Sequence, residues 1–173
     1  MVLIGLGGNL PGPGCGSPRR TLTAALAALA GEGIAVAACS AWYRSAPLPP
    51  SDQPWYTNAV GILETAIGPF ALLAAMQRVE RQFGRVPGAR NAARTVDLDL
   101  LDYDGRQIET AALVLPHPRL HLRRFVLEPL DQVAPGWRHP LFGLTAAELL
   151  SRLIEPQTVR RLPREADDPP SRS

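Results

Sequence analysis

Residues 94–101 read Arg-Thr-Val-Asp-Leu-Asp-Leu-Leu, and no other stretch of the chain limits its fold as sharply. Alternation of apolar and charged residues has the period of a strand, whose successive side chains point to opposite faces. Val96, Leu98 and Leu100 therefore face a core, while Asp97 and Asp99 share the other face with Cα atoms roughly 6.6 Å apart. Two carboxylates on one strand face repel unless they are solvated, paired with cations or bridged by a metal. On this pattern alone, a solvated sheet face and a cation site account for the pair equally well.

The preceding sequence supplies neighbours for such a strand. Val2 to Leu6 is an apolar run ending in Gly7-Gly8-Asn9, the pattern of a buried strand leaving into a turn. A Gly/Pro-rich loop over 11–16 precedes Ser17, an N-cap, and Pro18, suited to a first helical position. Leu22, Leu26 and Leu29 form one helical face and Gly31 supplies a stop. Ile34 to Ser45 is β-compatible, a proline-rich loop covers 46–54, and Asn58 to Thr65 reads as another strand. Gly68-Pro69 opens a helix through Phe83, with Leu72, Met76, Val79 and Phe83 as its apolar stripe. A loop over 85–93 leads into the strand Thr95 to Tyr103. The order β-α-β-β-α-β predicts an α+β, ferredoxin-like sandwich, an antiparallel sheet with helices on one side.

Beyond Tyr103 the chain reads as C-terminal additions to this unit. Thr145-Ala-Ala-Glu148 is a capping box ahead of Leu149, Leu150, Leu153 and Ile154, which predicts a helix. A length of 173 residues suits one domain, expected over residues 1–156. Residues 157–173 are expected to form a disordered tail, because from Pro163 onward they are charged, proline-bearing and poor in apolar groups.

Composition enters through what it excludes. All 18 basic residues are arginine, with no lysine. That rules out a P-loop ending in Gly-Lys-Ser/Thr, a strand lysine of the protein-kinase kind and a lysine Schiff base. Genomic base composition accounts for such an absence as readily as function does. A net charge of +2 gives little long-range field and disfavours a general nucleic-acid binder. Cys15 and Cys39 form no CxxC pair, so neither a zinc site nor a disulfide framework is indicated. The start has no secretory signal pattern and no apolar run reaches 18 residues. A cytoplasmic, monomeric protein without membrane or nucleic-acid partners is expected.

Candidate chemistry gathers around the two aspartates. Arg85, Arg90 and Arg94 crowd the loop before them, and Arg119, Arg123 and Arg124 form a second cluster. Guanidinium groups clamp phosphate oxygens bidentately, so a polyphosphate held between arginines and Mg2+ would be balanced. Most arginines in any chain are nonetheless solubilising surface charges. His117 lies between Pro116 and Pro118 in an extended segment, where a hydrogen bond to phosphate and a structural role both remain open. His121 follows four residues later, but Pro118 argues against a helical zinc pair. Gln77 and Glu80 share a helix face at i and i+3. Tyr56 and Asn58, at i and i+2 on a strand, could stack on and hydrogen-bond a flat heterocycle. Trp42, Tyr43, Trp55 and Phe125 offer further aromatic surface, with ordinary packing favoured for the two tryptophans.

In order and spacing, several segments resemble the 6-hydroxymethyl-7,8-dihydropterin pyrophosphokinase family of folate biosynthesis over roughly Val2 to Ile154. They are Gly5-Leu-Gly-Gly-Asn-Leu10, Trp42-Tyr-Arg-Ser-Ala-Pro47, Asp52-Gln-Pro-Trp-Tyr-Thr-Asn58, Gln77-Arg-Val-Glu80 with Gly84-Arg85, Arg94-Thr-Val-Asp-Leu-Asp-Leu100, and Pro116-His-Pro-Arg119 through Arg123-Arg-Phe125. The resemblance implies transfer of pyrophosphate from ATP to the pterin hydroxymethyl group, giving AMP. It implies two Mg2+ ions on Asp97 and Asp99, and catalytic roles for these aspartates and for Arg85 and Arg94 in a loop closing over phosphate. It implies ATP contacts from Gln77, Glu80, Arg94, His117 and Arg123. Tyr56 and Phe125 would sandwich the pterin, Asn58 would bond its edge, and Pro47 and Leu48 would line its pocket. The chain departs from the family pattern where Arg90-Asn91-Ala92-Ala93 replaces a common Arg-Trp-Gly-Pro, where Pro87 replaces a loop arginine, and where Ala46-Pro47 replaces Pro-Pro. A non-catalytic ferredoxin-like binding or regulatory module is the alternative, though no strand carries the aromatic-basic motif of an RNA-recognition domain.

Overall fold

The structure, a computed structural model, describes residues 1–86, 92–166 and 168–169. Its first strand, β1 (Val2–Gly8), is apolar on both faces and runs on through both glycines. Helix α1 (Pro18–Ala28) starts as the sequence predicts: Ser17 Oγ accepts from Arg20 N and proline occupies the first turn. The β-compatible stretch after it breaks into β2 (Ala35–Cys39) and β3 (Tyr43–Ser45). Strand β4 (Tyr56–Glu64), helix α2 (Pro69–Gln82) and strand β5 (Asp97–Tyr103) follow. Strand β5 begins two residues later than alternation alone suggests, because the Arg94 carbonyl is taken by the backbone N–H groups of Asn9 and Leu10.

The sheet runs β5-β1-β4-β3, with β2 also on β4, and every pairing is antiparallel. That is the expected ferredoxin-like β-α-β-β-α-β core. Val2, Ile4, Leu6, Leu98 and Leu100 pack against Leu22, Leu26, Leu72, Met76 and Val79 of α1 and α2. At roughly 25 cal/mol per Å2 of apolar area removed from water, each fully buried leucine or methionine contributes about 1.5–3 kcal/mol.

The two helices of the β-α-β-β-α-β unit, α1 and α2, share one side as expected, and the C-terminal additions cover the other. Helices α3 (Arg124–Val133) and α4 (Ala146–Leu150) cover the opposite face, where Leu3, Val60, Ile62 and Leu101 meet Val126, Leu127, Leu130 and Trp137. The predicted capping box starts α4: Thr145 Oγ1 accepts from Glu148 N at 3.2 Å, and Glu148 Oε2 accepts from Thr145 N at 2.7 Å. Two short strands, β6 (Ile108–Glu109) and β7 (Val114–Leu115), form a separate hairpin.

The tail expected to be disordered includes order among its described residues, while 167 and 170–173 lie outside them. Residues 159–161 form β8 (Val159–Arg161), antiparallel to β3. Farther on, Glu165 and Asp168 both pair with the Arg19 guanidinium, which is only 8% exposed. Backbone pairing to a sheet edge, ion pairs and the packing of Leu162 on the core anchor this segment despite its low apolar content. Among the described residues no helix is long and apolar enough to cross a membrane, and both cysteines are free.

Candidate active site

Helices α3 and α4 cover only part of their sheet face. The remainder is the floor of a cavity of about 530 Å3. Register explains the floor. Asp97 on β5 lies opposite Gly7 on β1, Gly7 opposite Asn58 on β4, and Asn58 opposite Tyr43 on β3. One row farther in, Asp99 lies opposite Gly5. Partners in an antiparallel ladder point to the same face, so two carboxylates and an amide look into one trough whose middle strand has no side chains at these positions. Neighbouring strands lie about 4.8 Å apart, which puts Asp97 and Asn58 roughly 10 Å apart across Gly7.

Arginines hold the carboxylate end. Arg85 Nη1 lies 2.7 Å from Asp97 Oδ1, and Arg94 Nη1 lies 2.7 Å from Asp97 Oδ2. Arg123 Nη1 lies 3.4 Å from Asp99 Oδ2. With Arg119, four guanidiniums and two carboxylates line the cavity among the described residues, a positive excess suited to a polyanion. Burial, reinforced by the charge of Asp99 and opposed by Arg85 and Arg94, raises the Asp97 carboxyl above the usual range. Asp97 and Asp99 provide the hard oxygen donors that a cation such as Mg2+ takes while keeping water and phosphate in its other positions. Among the described residues no cluster of three His, Cys, Asp or Glu groups forms a closed metal cage.

His117 enters the same cavity from the loop after β7. Its backbone N–H donates to the Leu101 carbonyl at 2.8 Å, and Nδ1 accepts from Arg119 N at 3.2 Å. That leaves the ring proton on Nε2. Burial, with Arg123 and Arg119 nearby, pushes its pKa down to about 4, so the ring is a neutral donor near pH 7.

Aromatic side chains adjoin these charges. Tyr56 and Phe125 are half-buried and line the cavity, as do Pro47 and Leu48, and Arg123 Cζ lies 5.6 Å from the Phe125 ring centroid. Tyr56 Oη donates to Gln53 Oε1 at 3.1 Å, and burial raises its phenol pKa. Asn58 is 4% exposed. Its Nδ2 donates to Ser45 Oγ at 2.9 Å, and its Oδ1 lies 3.4 Å from where a Cβ on Gly7 would stand. The amide is thus held rigidly, with its acceptor over the glycine floor.

Two of the expected ATP contacts lie elsewhere. Gln77 is exposed on α2 and does not line the cavity. Glu80 is buried behind the wall, where Oε1 accepts from Leu98 N at 2.7 Å and pairs with Arg85. It links α2, β5 and Arg85 beneath Asp97. Arg124 points away and pairs with Glu128, while Arg90 and Pro87 lie outside the described residues. Trp42 is core, as packing predicts, and Trp55 lies between the Arg44 and Arg160 guanidiniums, 5.8 and 5.5 Å from its ring centroid.

Sequence reading passed over Asn9 and Ser45. Asn9, 3% exposed, accepts from Arg94 N through Oδ1 at 2.8 Å and donates through Nδ2 to Pro54 O at 3.1 Å. It ties the end of β1 to the arginine loop and to the loop before Tyr56. A polar residue straight after a buried strand and two glycines was the available signal.

Comparison with known proteins agrees with this geometry. The family described as 7,8-dihydro-6-hydroxymethylpterin-pyrophosphokinase matches residues 3–135. A 2-amino-4-hydroxy-6-hydroxymethyldihydropteridine pyrophosphokinase of Synechocystis sp. is 40% identical over 153 residues, 88% of this chain and 75% of that protein. The protein of the same name from Methylorubrum extorquens is 37% identical over 160 residues, covering 92% of this chain and 96% of its own length. The folic acid synthesis protein fol1 of Pneumocystis carinii is 34% identical over 154 residues, 89% of this chain but 20% of that protein. The extent of these matches places the chain in the 7,8-dihydro-6-hydroxymethylpterin-pyrophosphokinase family.

Proposed function

We propose that the chain transfers the pyrophosphoryl group of ATP to the hydroxymethyl oxygen of 6-hydroxymethyl-7,8-dihydropterin, giving the pterin diphosphate and AMP. The observation that carries this reading is the glycine-floored trough, with Asp97 and Asp99 on one side of it and Asn58 on the other, in a cavity that four arginines, Tyr56 and Phe125 also line. A span of roughly 10 Å between the two polar rows suits a flat heterocycle whose side-chain alcohol reaches a triphosphate.

In this reading Asn58 Oδ1 accepts from the N–H groups of the ring edge, and Tyr56 and Phe125 bracket the ring. Arg85, Arg94 and Arg123 move from carboxylate to phosphate oxygens when the nucleotide enters, freeing Asp97 and Asp99 to hold Mg2+. Bound there, Mg2+ would neutralise charge on the phosphates and polarise the β-phosphorus. His117 donates through Nε2–H to a phosphate oxygen. These arginines, with Arg85 anchored by Glu80 and the Arg94 backbone by Asn9, stabilise charge developing in the in-line transition state without a covalent intermediate. Excluding water lets the pterin alcohol, rather than solvent, attack the β-phosphorus.

The test is nucleotide analysis after incubation with ATP, Mg2+ and the reduced pterin. Pterin-dependent AMP is the expected product, and ADP as the only nucleotide product would refute the reading. Asp97→Ala should lower kcat by at least about 100-fold, in the range for lost electrostatic stabilisation. Its circular dichroism should remain that of the parent, and full activity would remove the metal role.

A further inference from the structure

Residues 157 and 158 join two walls of the pterin end of the cavity that are far apart in sequence. Gln157 Oε1 accepts from the Arg124 backbone N–H at 2.8 Å, and Gln157 Nε2 donates to the Leu122 carbonyl at 2.8 Å. These bonds grip the chain on both sides of Arg123 and just before Phe125. Arg123 is the N-cap of α3, yet its side chain makes no cap bond. Arg124 N is one of the helix's orphan donors, so Gln157 caps α3 from 33 positions away. The next residue ties the other wall: Ala46 N donates to the Thr158 carbonyl at 3.2 Å. Pairing of β8 with β3 then continues that tie through Ser45 and Val159.

The strap thus holds Ser45 to Leu48 on one side and Arg123 to Phe125 on the other. A second cavity of about 270 Å3 lies beneath it, sharing Pro47, Leu48 and Phe125 with the main one. Phe125 packs against the α3-side core and also borders this second cavity, whose wall Gln157, Thr158 and Val159 help to form.

We propose that Gln157 is a positioning residue for the pterin subsite, fixing the separation between the 45–48 wall and Phe125. This rests on the pterin reading above. It acts on the heterocycle more than on the nucleotide, because the long Arg123 side chain leaves Asp99 for phosphate in any case and its free rotamers absorb a small backbone shift, whereas the Phe125 ring is placed directly by the backbone next to the bonds of Gln157.

The experiment is steady-state kinetics of full-length Gln157→Ala and Gln157→Glu. Loss of two partly solvated hydrogen bonds, at the low end of about 0.5–1.5 kcal/mol each, corresponds to roughly fivefold. Gln157→Ala is therefore expected to raise the pterin KM about fivefold, with the ATP KM and kcat changed less than about twofold. Gln157→Glu keeps the acceptor for Arg124 N–H, a favourable place for a carboxylate at a helix N-terminus, and should recover much of the loss. A merely structural role would lower kcat or stability without separating the two substrates. An unchanged pterin KM in Gln157→Ala, or parallel rises in both KM values, would overturn the strap proposal. Absence of pterin-dependent AMP release from the wild-type chain would instead overturn the functional reading on which it rests.

Discussion

Gly8→Ala is the substitution that best tests how the arginine loop is held. A Cβ built on Gly8 stands 2.5 Å from the Thr95 carbonyl oxygen, 3.2 Å from its carbon and 3.5 Å from the Arg94 oxygen. Carbon–oxygen contacts are comfortable only from about 3.3 Å, so about 0.8 Å must open between β1 and the backbone at 94–95. Both obstacles are backbone, and neither can rotate away. The Arg94 carbonyl is held by Asn9 N and Leu10 N at 3.0 and 3.1 Å, and Arg94 N by Asn9 Oδ1 at 2.8 Å. Displacement therefore carries Arg94, and with it the guanidinium on Asp97. Misplacing a reacting constellation by about 1 Å costs on the order of 100-fold, and overpacking costs about 1–3 kcal/mol. Gly8→Ala is expected to lower kcat/KM by about 100-fold and stability by about 2 kcal/mol, read by AMP release and urea denaturation. Gly5→Ala is the steric comparison, since its Cβ meets only the Leu101 side chain at 3.4 Å, and it should fold nearly as stably as the parent. Wild-type kcat/KM in Gly8→Ala would refute the claim that the glycine fixes Arg94.

Two further predictions concern the covered part of the sheet face that floors the cavity, beside α3 and α4. Trp137 Nε1 donates to Asp102 Oδ2 at 2.7 Å, with Asp102 3% exposed; Trp137→Phe should cost about 2 kcal/mol in urea denaturation, within the range for a bond to a charged group. His139 is 2% exposed with Nε2 unpartnered, and burial, with His121 adding to it, lowers its pKa to about 4. The folded state keeps this ring neutral while the unfolded chain takes a proton, so its stability contribution is complete above about pH 6.5 and is lost as pH falls toward 4. His139→Phe, stacking on Phe142 as His139 does, should flatten that acid limb of a stability–pH curve. The share due to His117 would remain, and an unchanged limb would show that His139 is protonated in the folded state.

Much of this site was written in short-range pattern. Asp97 and Asp99 alternate with core residues over one strand, and Thr145 with Glu148 announces α4, because both signals depend only on neighbours. Helix α3 was missed although Val126, Leu127, Leu130 and Val133 form its buried face; Pro129 in its middle reads as a breaker. Proline removes one donor there, but packing on Leu3, Val60 and Ile62 outweighs that loss. Nothing in the sequence pairs Gly7 with both Asp97 and Asn58, since register between distant strands is settled by the whole core. Spacing puts Gln77 and Glu80 on one helix edge, but only the packing of α2 on the sheet decides that Glu80 is buried and Gln77 exposed. The tail was legible only as composition, whereas its order comes from partners such as Arg19 and Tyr43, more than 100 residues earlier.

The register shift between β1 and β5 at Leu3 and Ile4 divides β5 into two segments with separate obligations. Up to Leu100, odd positions face the cavity; past the shift, Leu101 and Asp102 both serve the α3 layer, and Tyr103 returns to the α1–α2 side, donating to Ile67 O at 2.7 Å. The bulge is thus an insulating joint. Removing Leu101 would restore plain alternation, with Asp102 still opposite Leu3 and Tyr103 still opposite Val2, while leaving both aspartates over their glycines. Chains sharing this fold can therefore vary the far half of the strand, in length as well as composition, without resetting the chemistry at its start.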